Sequence, residues 1–213
     1  PYGRDIIGHK SEVAQLGTED ALDFYRRFYT PNNATLIVAG DVTADELKPL
    51  AEKYYGSIAE RAPAFVRERP AVAWPDENKR VVRRDPRVNE ATWMRYYPAP
   101  GYATASAEEA PVFDVLAEIL GGGTTSRLYR ALVVEQGVAA GVQSWYEGSR
   151  LDEGKFGIYA LPRAGGALDA LEKAVDEEVA RLLETGVTDE ELERAKTVIV
   201  ASAVYARDSQ RSM

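Results

Sequence analysis

The sequence contains no cysteine and a single histidine, His9, in 213 residues. The first absence excludes disulfides and thiol chemistry. The second removes most zinc chemistry, because zinc sites draw three or four ligands from His, Cys and carboxylates. A Ser–His–Asp triad would have to be built around His9 alone, and an exposed loop histidine accounts for it. No apolar run approaches the ~20 residues of a membrane-spanning helix, and no signal peptide is visible. Positive charge is also in short supply: the formal net charge is −8, so the overall field repels a nucleic-acid backbone. The basic clusters Arg67-Glu68-Arg69 and Arg80 to Arg87 are interrupted by acids or prolines and read as solvated segments.

What is present is a globular composition, 45% hydrophobic and 28% charged, without low-complexity tracts. Thr18 with Glu19 and Asp20 marks a helix start, and Leu22, Tyr25, Phe28 and Tyr29 carry its apolar face over roughly 18–29. Pro31-Asn32-Asn33 breaks it. The run 34–39 (ATLIVA), closed by Gly40-Asp41, predicts a buried strand. Thr43 and Glu46 form a capping box that opens a helix to about Gly56. Residues 61–78 are proline-rich without a period and read as a linker. Strands are expected over 79–84 and 91–97. In the second, Trp93, Arg95 and Tyr97 alternate with Thr92, Met94 and Tyr96.

Ser106 and Glu109 suggest a further capping box for a helix over 106–120. Leu128 and Leu132 mark a short helix after it. Segments 138–146 and 155–161 predict a hairpin. Leu168, Leu171, Val175, Val179 and Leu182 step at helical spacing up to Gly186, and Thr188 with Glu191 caps a last helix. The order predicts an α+β fold with a mostly antiparallel sheet and helices on one face. The opening on Pro1 without an initiator Met, and the stop at Met213 inside a helical pattern, read as cuts in a longer protein.

The Gly121-Gly122-Gly123-Thr124-Thr125 stretch raises the possibility of a phosphate loop. It follows a helix rather than a strand, and no lysine follows the glycines. The expectation is instead a helix–turn–helix corner, with Gly121 left-handed at the helix end and Thr124 or Thr125 capping the next helix. The carboxylate runs 176–178 and 189–191 read as solvated helix faces or first turns.

Three blocks in order carry a family resemblance. They are PYGRDIIG at 1–8, FYRRFYTPNNATLIVAGDV at 24–42 and LGGGTTSRLY at 120–129. Together they resemble the middle of a pitrilysin/insulinase-type zinc peptidase, the inverzincin family that includes the mitochondrial processing peptidases. The resemblance implies a metallohydrolase-like fold of the processing-peptidase type. It implies that residues 1–60 end a zinc-type domain, that 61–78 join it to a second domain, and that 79–213 are that metal-free domain, truncated at its C-terminus. The H-x-x-E-H motif of such peptidases would precede Pro1, so zinc is expected in the full-length parent and not in this chain.

Many family members carry an Arg and a Tyr seven apart after S-R-L, where they hold substrate and stabilise the transition state. The matching positions here are Val133 and Ala140, and no catalytic, substrate-binding or metal-ligating residue is expected in the chain. By resemblance the parent hydrolyses peptides, with a related subunit supplying the Arg/Tyr pair and a bacterial periplasmic setting. The alternative is a degenerate homologue acting as a scaffold subunit.

Overall fold

The structure is a computed structural model, and it describes residues 6–66, 68, 77–106 and 108–209. The first block of the resemblance is therefore described only from Ile6. Half of the linker expected over 61–78 lies outside the described residues, Arg67 and Arg69 with it, and so does Ala107. The chain divides into two compact units, Pro1–Ala71 and Val72–Met213.

The first unit holds helices α1 (Lys10–Val13), α2 (Thr18–Phe28) and α3 (Ala44–Tyr55), with a 3₁₀ turn at Pro31–Asn33. Local chemistry explains each start. Thr43 accepts from the Glu46 amide at 3.3 Å, while Glu46 Oε2 accepts from the Thr43 amide at 3.0 Å, completing the expected box. The cap of α2 is shifted by one: Gly17 is the capping residue, and its amide donates to Asp20 Oδ2 at 2.8 Å. The strand expected over 34–39 does not form. Leu36, Ile37 and Val38 are exposed. A lone extended segment has no neighbour to satisfy its backbone groups, and its apolar side chains then lack a surface to cover. No apolar side chain of this unit is buried among its described residues.

The second unit carries the core. Strands β1 (Trp93–Ala99), β2 (Ala139–Glu147) and β3 (Gly154–Pro162) form an antiparallel sheet in the order β1-β3-β2. Helices α4 (Glu109–Gly121), α5 (Leu168–Thr185) and α6 (Asp189–Ala206) complete it, with a π-helical segment at Tyr129–Glu135. The alternation in β1 is as expected: Trp93 and Ala99 are buried and Met94 and Tyr96 exposed. Phe156, Ile158 and Ala160 of the central strand meet Leu128, Leu132, Leu171 and Val175 in one cluster. Burial of side chains this size contributes roughly 1.5–3 kcal/mol each. The second strand expected, over 79–84, is absent. Val81 and Val82 are exposed, and Arg80 instead donates to Asp169 at 2.7 Å and Glu172 at 2.9 Å on α5. The box expected at Ser106 also fails, since α4 starts at Glu109 and Glu108 makes no side-chain cap bond.

The glycine corner is built differently from its expectation. Gly121 is the last residue of α4 and is not left-handed. It is glycine because α4 lies directly on β2: an added Cβ would stand 2.6 Å from Ser144 Oγ and 2.7 Å from the Gln143 carbonyl carbon. Ser144 Oγ donates to the Ala117 carbonyl at 2.8 Å, which fixes the crossing. The positive φ belongs to Gly123, at 122°, in open space. Ser126, rather than Thr124 or Thr125, begins the next helix: its carbonyl accepts from Arg130 at 3.0 Å and its hydroxyl donates to Gly123 O at 2.6 Å.

These two glycines respond differently to substitution. Gly121→Val forces α4 off the sheet and costs about 3 kcal/mol or more. Gly123→Ala strains only its own backbone and costs about 1 kcal/mol. Urea unfolding of both variants measures the difference, and equal costs would contradict this account of the crossing.

Candidate functional site

The two positions singled out by the resemblance lie at the junction of the π segment and β2. Val133 is half-buried in the π segment and packs against the core. The segment's wide turn is visible in the Gln136 amide, which donates to Ala131 O, five residues back, at 2.9 Å. Ala140 is exposed on β2, where the pairing register with β3 shifts between Ala139 and Gly141. Both side chains are hydrocarbon, so neither position can donate a hydrogen bond or hold a charge. His9 is exposed at the start of α1, its amide donating to Glu12 Oε2 at 3.2 Å.

The polar chemistry of this junction lies beside those positions. Arg127 Nε and Nη2 donate to the two oxygens of Glu191, both at 2.6 Å, and Nη2 also donates to Gly186 O at 2.7 Å. A planar guanidinium matches a carboxylate in this two-point geometry. The same Glu191 accepts from the Thr188 amide at 2.9 Å in the capping box of α6. One carboxylate thus serves an ion pair and a helix cap. Its side chain is only 16% exposed and that of Arg127 13%. The hydrogen bonds from Arg127, helped by the Thr188 cap, hold the Glu191 pKa down at about 2 against opposing burial.

The sequence reading of 176–178 and 189–191 as solvated helix faces or first turns fails at Glu178, whereas Glu191 lies in the first turn of α6 as expected and in addition meets an arginine. Glu191 is enclosed by Arg127. Glu178 is 4% exposed, and burial pushes its pKa upward. Its neighbours behave as expected: Asp176 pairs with Arg95, and Glu177 lies 3.6 Å from Lys173. Position on the helix separates them. Glu178 is seven residues after Leu171 and falls on the same buried stripe as Val175 and Leu182. An open cavity of about 270 Å³ is lined by Arg127, Arg130, Glu135, Glu178, Arg181 and Glu191, among others. A second, of about 430 Å³, lies among Asp114, Glu118, Ser144 and Val198.

No cluster of three or more His, Cys, Asp or Glu side chains that could hold a metal occurs among the described residues, and the donor set does not fit zinc. No helix among them is long and apolar enough to cross a membrane.

Comparison with known proteins supplies the family. The family model described as the peptidase M16 inactive domain matches residues 15–199. The chain belongs to the M16 peptidase family and matches its inactive domain. The uncharacterised zinc protease YmxG of Bacillus subtilis is 26% identical over 212 residues, covering 99% of this chain and 49% of that protein. A probable mitochondrial-processing peptidase β-subunit of Schizosaccharomyces pombe is 27% identical over 219 residues, covering 98% and 46%. Among solved structures, a protease from Helicobacter pylori superposes with a TM-score of 0.75 at 22% identity, covering 97% of this chain and 49% of that one. That likeness shows the α+β fold. This M16 chain spans about half the length of the curated relatives it matches.

The Arg127–Glu191 pair makes a testable contribution to stability. Glu191 has a folded pKa depressed below its ordinary value of 4.5 to about 2. Its contribution is therefore fully present above about pH 5 and is lost as pH falls toward 2, on the order of 2–3 kcal/mol. Arg127→Ala leaves a buried carboxylate unpaired and costs about 3 kcal/mol at pH 7. In that variant the acid-induced loss between pH 5 and 2 shrinks by a similar amount. Chemical unfolding across this range checks both, and identical pH profiles would refute the role of the pair.

Proposed function

We propose that this chain is the non-catalytic part of a longer zinc-dependent peptidase, where it helps to form the substrate cleft and the subunit contacts. The observation that carries the proposal is the match to the M16 inactive domain over 185 of the 213 residues, joined to a sequence with one histidine and no cysteine. In this proposal residues 1–60 end a zinc-type domain, 61–78 connect, and 79–213 form the metal-free second domain. The zinc, and the Glu that acts as general base on the metal-activated water, belong to sequence outside this chain. The chain's own part is positional: β1, β2 and β3 provide a rigid wall, and the corner at Gly121–Ser126 sets where the π segment stands on it.

Val133 and Ala140 narrow the proposal further. A chain with hydrocarbon at both positions supplies no hydrogen-bond donor there for a substrate carbonyl or an oxyanion. The pair then comes from a related subunit, and the parent of this chain is the zinc-bearing partner. If no zinc site accompanies it, the same two residues favour a scaffold subunit instead.

The chain by itself is expected not to hydrolyse peptides and not to hold zinc at stoichiometry. The full-length parent is expected to bind one zinc and to cleave peptides in a chelator-sensitive way, most strongly with the partner subunit present. Metal analysis and a fluorogenic peptide assay on the chain, the parent and the parent–partner mixture test this. Chelator-sensitive cleavage by the isolated chain would overturn the proposal, and a zinc-free, inactive parent in every mixture would establish the scaffold role.

A further inference from the structure

The chain has two sulfur atoms, in Met94 and Met213, and no cysteine. Met213 lies outside the described residues. Met94 sits on β1, where residues two apart share one face of the sheet. With Tyr96 it therefore points away from the core, opposite the buried Trp93 and Ala99. Its side chain is half exposed, within reach of dissolved oxidants.

The neighbouring phenol sets this methionine apart from an ordinary surface thioether. Tyr96 Oη donates to Met94 Sδ at 2.9 Å. The Tyr96 ring is held from two sides. It meets Trp145 edge-on, with centroids 5.9 Å apart, and Trp145 lies against Gly157, where an added Cβ would stand 2.5 Å from the indole. Lys155 Nζ is 4.5 Å from the Tyr96 ring centroid and 3.2 Å from Glu147. Gly157 pairs with Tyr96 in the register of β1 and β3, and Lys155 with Pro98. The sheet thus fixes where the hydroxyl is delivered.

A thioether sulfur carries two lone pairs, and reaction through one or the other gives opposite sulfoxide epimers. With hydrogen peroxide, a sulfur lone pair forms the new S–O bond, the O–O bond breaks, and the second oxygen leaves as water. Sulfur gives up two electrons and the peroxide takes them. The lone pair that accepts the Tyr96 proton is withheld from this attack, and the other is free.

We propose that Met94 is a stereoselective modification site, oxidised by hydrogen peroxide to mainly one sulfoxide epimer, with the Tyr96 hydroxyl choosing which. Each methionine sulfoxide reductase takes one epimer, so a single reductase reverses the change. The product places a polar oxygen on the outer face of the sheet and leaves the core cluster alone, because Met94 is not part of it. The proposal is independent of the peptidase assignment, since its test needs neither zinc nor cleavage of substrate.

The test is partial oxidation of the folded full chain with hydrogen peroxide, followed by quenching and tryptic digestion. Peptide 88–95 contains Met94 and not Met213. Its sulfoxide is measured by mass spectrometry before and after treatment with each of the two epimer-specific reductases. Acting on the peptide removes any effect of access in the folded protein. One epimer is expected in about fivefold excess, the ratio that a typical net hydrogen-bond energy sustains. The synthetic peptide oxidised alone is expected to give nearly equal amounts. Tyr96→Phe keeps the ring and removes only the hydroxyl, and the excess should fall to that of the free peptide. The wild-type chain oxidised in urea should behave likewise, which keeps the test decisive if the variant misfolds. Equal epimers from the folded wild type, an undiminished excess in folded Tyr96→Phe or in urea, or a Met94 that resists peroxide when the peptide reacts would each overturn the proposal.

Discussion

The second unit is organised around one guanidinium. Arg127 stands at the start of the helical turn that becomes the π segment, and its donors reach the end of α5 through Gly186 O and the start of α6 through Glu191. Two stretches about sixty residues apart in sequence, the corner at Arg127 and the α5–α6 junction, are referred to a single planar group. The hydrocarbon core of Leu128, Leu132, Leu171 and Val175 supplies the bulk of the driving force, but apolar contacts are non-directional. The ion pair supplies the direction: it sets the angle at which α6 leaves Gly186 and ties the capping box of α6 to the corner after α4. A lysine in place of Arg127 would keep the charge and lose the two-point geometry.

The sheet imposes the other constraint. Because α4 meets β2 at the Gly121–Ser144 contact, the corner Gly122–Thr125 has little freedom, and the helix beginning at Ser126 must start close to the sheet. Val133 and Ala140 are consequently brought to one junction, on the π segment and on β2. Side chains at these two positions have their separation fixed by the scaffold, and here both are hydrocarbon.

Much of this could be read from the residues before any coordinates. The capping boxes at Thr43 and Thr188, the hairpin of β2 and β3 and the long helix from Leu168 rest on local chemistry, and local chemistry is what a sequence displays. The failures share a cause. Segments 34–39 and 79–84 have strand-like composition, yet a strand exists only with a partner, and partners are not visible locally. Gly121 was expected to be left-handed because glycine ends helices, whereas its actual reason is Ser144, distant in sequence and touching in space. Glu178 reads as a solvated charge, and only the helix stripe through Leu171, Val175 and Leu182 hints that it turns inward. The reading of Val133 and Ala140 as the positions of an Arg/Tyr pair rests on the family resemblance alone.

The strand order β1-β3-β2 has a consequence for how the chain is assembled as it is made. β2 and β3 are joined by residues 148–153, whereas β1 waits for β3 across residues 100–153. Closing a loop about nine times longer adds about 2 kcal/mol of chain entropy, so the hairpin forms more readily than the β1–β3 pairing. On a ribosome adding roughly 5–20 residues per second, β1 emerges several seconds before its partner is complete. Throughout that interval Trp93 and Tyr97 have no β3 beside them, and the edge of β1 is open to other nascent chains. Of the two arginines that later engage α5, Arg95 lies between those aromatics and Arg80 thirteen residues before Trp93. Before α5 exists they make the waiting strand cationic, and like charge keeps two such strands apart.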